Sequence, residues 1–199
     1  AEALNVIGSE SRRLERIVSD MLSVSEIEAG SLSIRVGSVR PDTLFDDLEK
    51  EYRAQAADKS IELSFDLPPK MPAFEGDRDR IAQALHNLIG NGLKYTPPGG
   101  RVDVRVDLPE AGGVTVAVAD TGIGIDPEEC EQIFDRFYRA NDRRIAHVTG
   151  SGLGLALARE IARLHGGDIT VESAIDEGST FTFSIPGPVQ TESGVERAA

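Results

Sequence analysis

Apolar residues change their spacing several times along this chain. Over residues 1 to about 29, Leu4, Ile7, Leu14, Val18 and Met21 recur in alternating steps of three and four, the seam of a helical bundle. Ser11 and Ser25 fill two further seam positions and weaken it, and a surface helix folded onto its own domain would show the same pattern. Gly30 suits a helix stop. Residues 32–36 alternate and predict a short strand. Pro41 then opens a helix to about Lys59, with Leu44, Phe45, Leu48 and Tyr52 on one face. Ile61, Leu63 and Phe65 alternate as a strand, which Pro68, Pro69 and Pro72 break. A helix follows from Asp77 to Lys94, then the turn Pro97-Pro98-Gly99-Gly100. Val102, Val104 and Val106, and after Gly112-Gly113 the run Val114, Val116 and Val118, predict two more strands. A glycine-rich loop follows Asp120, then a short helix and a long irregular stretch to Ser151. Leu153 to His165 reads as a helix closed by Gly166-Gly167. Strands Ile169–Ser173 and Thr180–Ile185 join at Glu177-Gly178, and Pro186-Gly187-Pro188 leads into a polar tail expected to be disordered. Interleaved strands and helices with tight turns predict an α/β (α+β) two-layer sandwich: a mixed sheet with helices on one face, preceded by one long helix.

Composition narrows the picture. The 199 residues carry 21 Lys and Arg against 34 Asp and Glu, a net charge of −13. Such a chain repels a phosphate backbone, which argues against non-specific nucleic-acid binding but leaves room for a locally positive nucleotide pocket. Cys130 is the one cysteine; it forms no internal disulfide and fits a reducing compartment. No apolar run reaches the roughly 20 residues of a membrane helix. The chain begins at Ala1 in mid-pattern, and it reads as a cytoplasmic fragment whose upstream part would be able to hold a membrane anchor.

Four short stretches carry candidate chemistry. In Asn87-Leu-Ile-Gly-Asn91-Gly-Leu-Lys94-Tyr95, positions 87, 91 and 94 lie within roughly 60° on one helical face. Ile81, Leu85, Leu88 and Ile89 fall on another, suited to burial. Carboxamide oxygens are neutral hard ligands for Mg²⁺ and Lys94 can meet a phosphate, although a solvated polar face would look alike. In Asp120-Thr121-Gly122-Ile123-Gly124-Ile125, a carboxylate ending an apolar strand needs a donor. Adenine's exocyclic amine is one, guanine's carbonyl is refused, and the glycines admit a close approach; an ordinary turn would also fit. Gly150-Ser151-Gly152-Leu153-Gly154-Leu155 runs into a helix whose free N–H groups attract phosphate. Its spacing is not that of a dinucleotide fingerprint. Phe134-Asp135-Arg136-Phe137-Tyr138-Arg139 lies between the two glycine loops in a connection of about 25 residues, too long for a plain turn. Arg136, Arg139, Arg143 and Arg144 make it basic, and Phe134 and Phe137 are placed to pin it as a lid; a disordered basic loop is the alternative.

In order and separation these stretches resemble the N, G1, F and G2 boxes of sensor histidine kinases, over residues 1 to about 187. The resemblance implies a Bergerat-type ATPase fold, shared with gyrase-type and chaperone ATPases. It divides the chain into the second helix of a dimerisation and phosphotransfer hairpin (1–31, ending Glu26-Ile-Glu-Ala-Gly30), a catalytic ATP-binding domain (32–187) and a tail (188–199). It makes Asn91 the main Mg²⁺ ligand with Asn87 assisting, and sets Lys94 and Arg139 on phosphates, with Asn87, Lys94 and Arg139 the catalytic set. Tyr95 lies against the nucleotide. Asp120 holds the adenine amine, with Gly122 and Gly124 beside the base and Thr180 a hydroxyl near it. Gly150, Gly152, Leu153 and Gly154 line the phosphate side. Partners implied are ATP, a response-regulator receiver domain, a phosphoacceptor helix upstream, and a second copy in a homodimer.

Two departures matter. Gly92 replaces the family's usual Ala, at roughly 1 kcal/mol of helix propensity. The phosphoacceptor histidine is missing: of His86, His147 and His165, none precedes an acidic residue on a first helix, and His165 ends a helix whose dipole favours a cation. Asn87 stands where gyrase-type enzymes carry a general-base Glu, and a carboxamide cannot deprotonate water. That disfavours ATP hydrolysis. A protein-serine kinase fits the pocket but not the bundle-like helix, and a non-catalytic ATP-binding or docking module stays open.

Overall fold

The computed structural model describes residues 18–19, 21–27, 29, 31–109, 112–140, 144 and 150–187. Most of the predicted first helix, Gly30, His147, Arg143 and the polar tail lie outside the described residues; 18–19 and 21–27 are helical.

Strand β1 (Gly37–Val39) is followed by helix α1 (Pro41–Asp58), β2 (Glu62–Asp66), β3 (Phe74–Gly76) and α2 (Arg78–Tyr95). Then come β4 (Arg101–Asp107), β5 (Gly113–Asp120), two 3₁₀ turns (Pro127–Glu129 and Gln132–Phe134), α3 (Gly154–Leu164), β6 (Asp168–Ala174) and β7 (Gly178–Pro186). Five strands form one sheet in the order β2-β4-β5-β7-β6, while β1 and β3 make a separate antiparallel pair. Only β2 and β4 run parallel; β4-β5, β5-β7 and β6-β7 are antiparallel. Strand alternation sends Val102, Val104, Val106, Val114, Val116, Val118, Phe181, Phe183 and Ile185 to one face. There they bury against Leu44, Phe45 and Leu48 of α1, Ile81, Leu85, Leu88 and Ile89 of α2, and Leu157 and Ile161 of α3. This is the expected mixed sheet with helices on one face.

The strand expected over 32–36 is absent. Residues 31–36 form no ladder, because the Arg35 N–H is taken by the Asp77 carboxylate at 2.7 Å. Val36 is exposed, and pairing starts only where Gly37 meets Gly76.

Helix α2, which carries the candidate ligands, is fixed at both ends. Asp77 caps its N-terminus by accepting the N–H groups of Asp79 and Arg80. His165, at the end of α3, accepts the Asp77 N–H at Nε2 (2.9 Å) and donates from Nδ1 to the Ile161 carbonyl (2.7 Å). That geometry is the neutral tautomer, so His165 serves as an acceptor for the start of α2 and not as the cation its helix end suggested. At the C-terminus Thr96 Oγ1 donates to the Gly92 carbonyl, and Lys59 Nζ donates to the Leu93 carbonyl at 2.9 Å. Arg80 also joins α2 to the helical residues 21–27, through Ser23 Oγ (3.0 Å) and Glu26 (3.2 Å).

Candidate nucleotide site

With its apolar face buried, α2 turns Asn87, Asn91 and Lys94 to the other side, where all three are half-buried. Asn87 Nδ2 is buried and has no hydrogen-bond partner. A carboxamide left unsatisfied costs about 1–3 kcal/mol, which makes this group a candidate ligand contact. Lys94 Nζ donates to Tyr95 Oη at 3.0 Å and sits 4.7 Å from the centre of its ring.

The second glycine stretch closes onto this helix face. A Cβ on Gly150 would lie 2.7 Å from Lys94 Nζ, and one on Gly154 would lie 2.9 Å from Asn87 Oδ1. Gly154 is the first residue of α3, and the buried Leu153 before it makes no side-chain cap. The free N–H groups of a helix start, an ammonium and an unsatisfied carboxamide therefore share one place, an arrangement that suits phosphate. Gly152, at φ +72°, packs on the backbone of Phe137 and Tyr138, and its carbonyl accepts the Phe137 N–H at 2.9 Å.

The basic stretch divides in two. Phe134 is buried beneath Arg159, whose guanidinium lies 4.5 Å from the ring centre. Phe137 is 64% exposed at φ +64°, so one phenylalanine pins the segment where two were expected. Tyr138 donates to Glu129 at 2.7 Å, a bond that pushes its hydroxyl pKa up to about 12. Arg139 is exposed, one residue past this anchor.

At the other end of the site, Asp120 closes β5 on the helix-facing side of the sheet. It accepts the Gly122 N–H at 2.8 Å. Burial, only partly offset by backbone N–H groups of Gly122 and Ser179, raises its pKa to about 6. Gly122 and Gly124 cannot carry a side chain: a Cβ would fall 2.7 Å from the Tyr95 carbonyl and 1.8 Å from the Ala174 carbonyl, respectively. Register corrects one expectation. Asp120 pairs with Ser179, and Thr180 pairs with Ala119, so Thr180 lies on the opposite face, away from the helices. The hydroxyl beside Asp120 belongs to Ser179, which is buried and which the sequence reading passed over. Alternation from Phe181 and Phe183 was the available signal.

The family profile described as histidine kinase-, DNA gyrase B-, and HSP90-like ATPase matches residues 76–189, the span holding all four stretches. This chain belongs to that family. Sensor protein SrrB of Staphylococcus aureus (strain N315) is 37% identical over 187 residues, covering 94% of this chain and 32% of that protein. The chain thus spans about a third of the curated relatives it matches. Among solved structures, full-length ShkA in complex with AMPPNP superposes with TM-score 0.77 at 26% identity, covering 94% of this chain and 38% of that one. The mycobacterial sensor histidine kinase MprB gives 0.64 at 30%, covering 77% and 98%. The histidine kinase ThkA in complex with response regulator protein TrrA gives 0.68 at 26%, covering 94% and 51%. This is the ATP-binding domain type of the sensor kinases. No described helix is long and apolar enough to cross a membrane.

Proposed function

We propose that this chain is the ATP-binding catalytic part of a sensor histidine kinase. The observation that carries the reading is the convergence of two distant segments on α2: Gly154 against Asn87, whose Nδ2 is orphaned, and Gly150 against Lys94. Asp120 and Ser179 hold the adenine end; Lys94, Arg139 and the start of α3 receive the phosphates. Asn91 and Asn87 suit Mg²⁺, which would neutralise phosphate charge when bound. A histidine nitrogen, on a helix outside this sequence, attacks the γ-phosphorus; the bond to the β-phosphate oxygen breaks and ADP leaves. The phosphoryl group then passes to an aspartate of a response-regulator receiver domain. Positioning and charge stabilisation supply the catalysis, with no base required of Asn87. Exposed Val18, Met21 and Leu22 suit the bundle of a homodimer in a longer, cytoplasmic or membrane-anchored protein. The domain division at residues 31 and 187 belongs to the same reading.

The test is incubation with γ-labelled ATP, with and without a separately made histidine-bearing helical hairpin of the same kinase. The chain alone stays unlabelled, since none of its three histidines precedes an acidic residue on a first helix and His86 and His165 are hydrogen-bonded to Tyr52 and Asp77, while the hairpin gains acid-labile label. An unlabelled hairpin despite ATP binding would favour a non-catalytic module.

A further inference from the structure

Three strands end in one row of polar side chains at the base end of the site. Asp120 of β5 stands opposite Ser179 of β7, and Ser179 opposite Ser173 of β6. Ser173 belongs to none of the four stretches. Its hydroxyl has one hydrogen to give and two lone pairs. It donates to the Gly178 carbonyl at 2.7 Å, accepts the Ile125 N–H at 2.8 Å, and lies 2.9 Å from Ser179 Oγ. With its own hydrogen committed to Gly178, the last contact must be donated by Ser179. Ser179 is left with lone pairs only for whatever sits beside Asp120.

We infer that Ser173 is a positioning residue for base recognition: it occupies the Ser179 hydroxyl hydrogen, so that Asp120 and Ser179 both present acceptors to a base. A purine amine finds partners there, and a purine carbonyl finds no donor. Ser173 also ties the first glycine loop to β6 through Ile125, next to the Asp176 N–H bond to the Ile123 carbonyl at 2.8 Å. The inference rests on the nucleotide reading proposed above.

The test compares ATP with inosine triphosphate, which replaces the adenine amine by a carbonyl without adding guanine's second amine. Calorimetry with excess Mg²⁺ gives both affinities for the chain and its variants. The chain itself prefers ATP. Ser173→Ala frees the Ser179 hydrogen to turn toward a carbonyl, and the preference shrinks about tenfold, one hydrogen bond's worth. Ser173→Thr keeps the preference, and the double variant Ser173→Ala/Ser179→Ala restores most of it, because no hydroxyl remains to donate. Ser179→Ala alone leaves the Ser173 bonds to Gly178 and Ile125 in place; it weakens ATP several-fold and leaves inosine triphosphate unchanged. A role limited to holding the loop would weaken both nucleotides equally in Ser173→Ala or in Ser179→Ala, and either result overturns the inference. If the unmodified chain binds neither nucleotide, the nucleotide reading fails first and takes the inference with it.

Discussion

The two glycine loops resemble each other in sequence and differ in what confines them. In the first, Gly124, at φ +69°, is pressed against the Ala174 carbonyl, and Gly122 against the Tyr95 carbonyl and the Asp120 carboxylate. In the second, Gly150 and Gly154 face the ends of side chains, Lys94 Nζ and Asn87 Oδ1, and only Gly152 meets backbone. Backbone cannot yield without unravelling strands, whereas a lysine tip moves at little cost. The base end of the site is thus built as a fixed template and the phosphate end as an adjustable one. That division matches the tasks proposed for them: one end discriminates between bases, and the other follows phosphates through a transfer.

The contrast breaks most visibly at Gly124. Gly124→Ala places a methyl group on the Ala174 carbonyl in a left-handed conformation. It should cost about 3 kcal/mol or more, a large share of a domain's stability. Denaturant melting checks this, and a loss below about 1 kcal/mol would mean the loop is not fixed.

Asp120→Asn is next in size and acts in two directions. It should weaken ATP on the order of 100-fold, because the amide presents a donor to the adenine amine. It should also stabilise the unliganded protein at pH 8. The folded pKa of about 6 lies above the ordinary aspartate value near 3.9, so the folded state holds the proton more tightly. The penalty is absent below about pH 4, grows as pH rises, and is complete above about pH 6, at about 1–3 kcal/mol. The difference between the two proteins in melts from pH 4 to 8 isolates Asp120 from carboxylates shifted the other way, such as Asp168 beside Arg159. A pH-independent difference would contradict the assignment.

Gly150→Ala should have the smallest effect on the fold, within about 0.5 kcal/mol, and yet weaken ATP several-fold by displacing Lys94. Calorimetry and a melt on the same sample separate the two. Loss of stability comparable with Gly124→Ala would erase the distinction between the loops.

How much of this was legible depends on how local the cause is. Helix α2 was readable because its cap, Asp77, and its buried stripe both lie within its own sequence. The pair β1 and β3 was not: each is three residues long, shorter than any periodicity test resolves, and the strand was expected a few residues early. His165 looked like a cation at a helix end, but its partner Asp77 is 88 residues away. Thr180 was named by resemblance, and register places it on the face away from the helices. Counting alternate positions from Val118 to Asp120, and from Phe183 back through Phe181, puts Ser179 on the shared face. Phe134 and Phe137 are alike in sequence, and only the fold decides that one is buried beneath Arg159 while the other stays exposed.

The most direct measurement is a calorimetric titration of the chain with ATP and with GTP, each with Mg²⁺ and with a chelator. A template at Asp120 joined to a phosphate end at Asn87, Asn91 and Lys94 predicts saturable one-to-one binding of ATP, weaker without the metal, and little binding of GTP. Equal affinity for the two nucleotides, or no ATP binding at all, would contradict it.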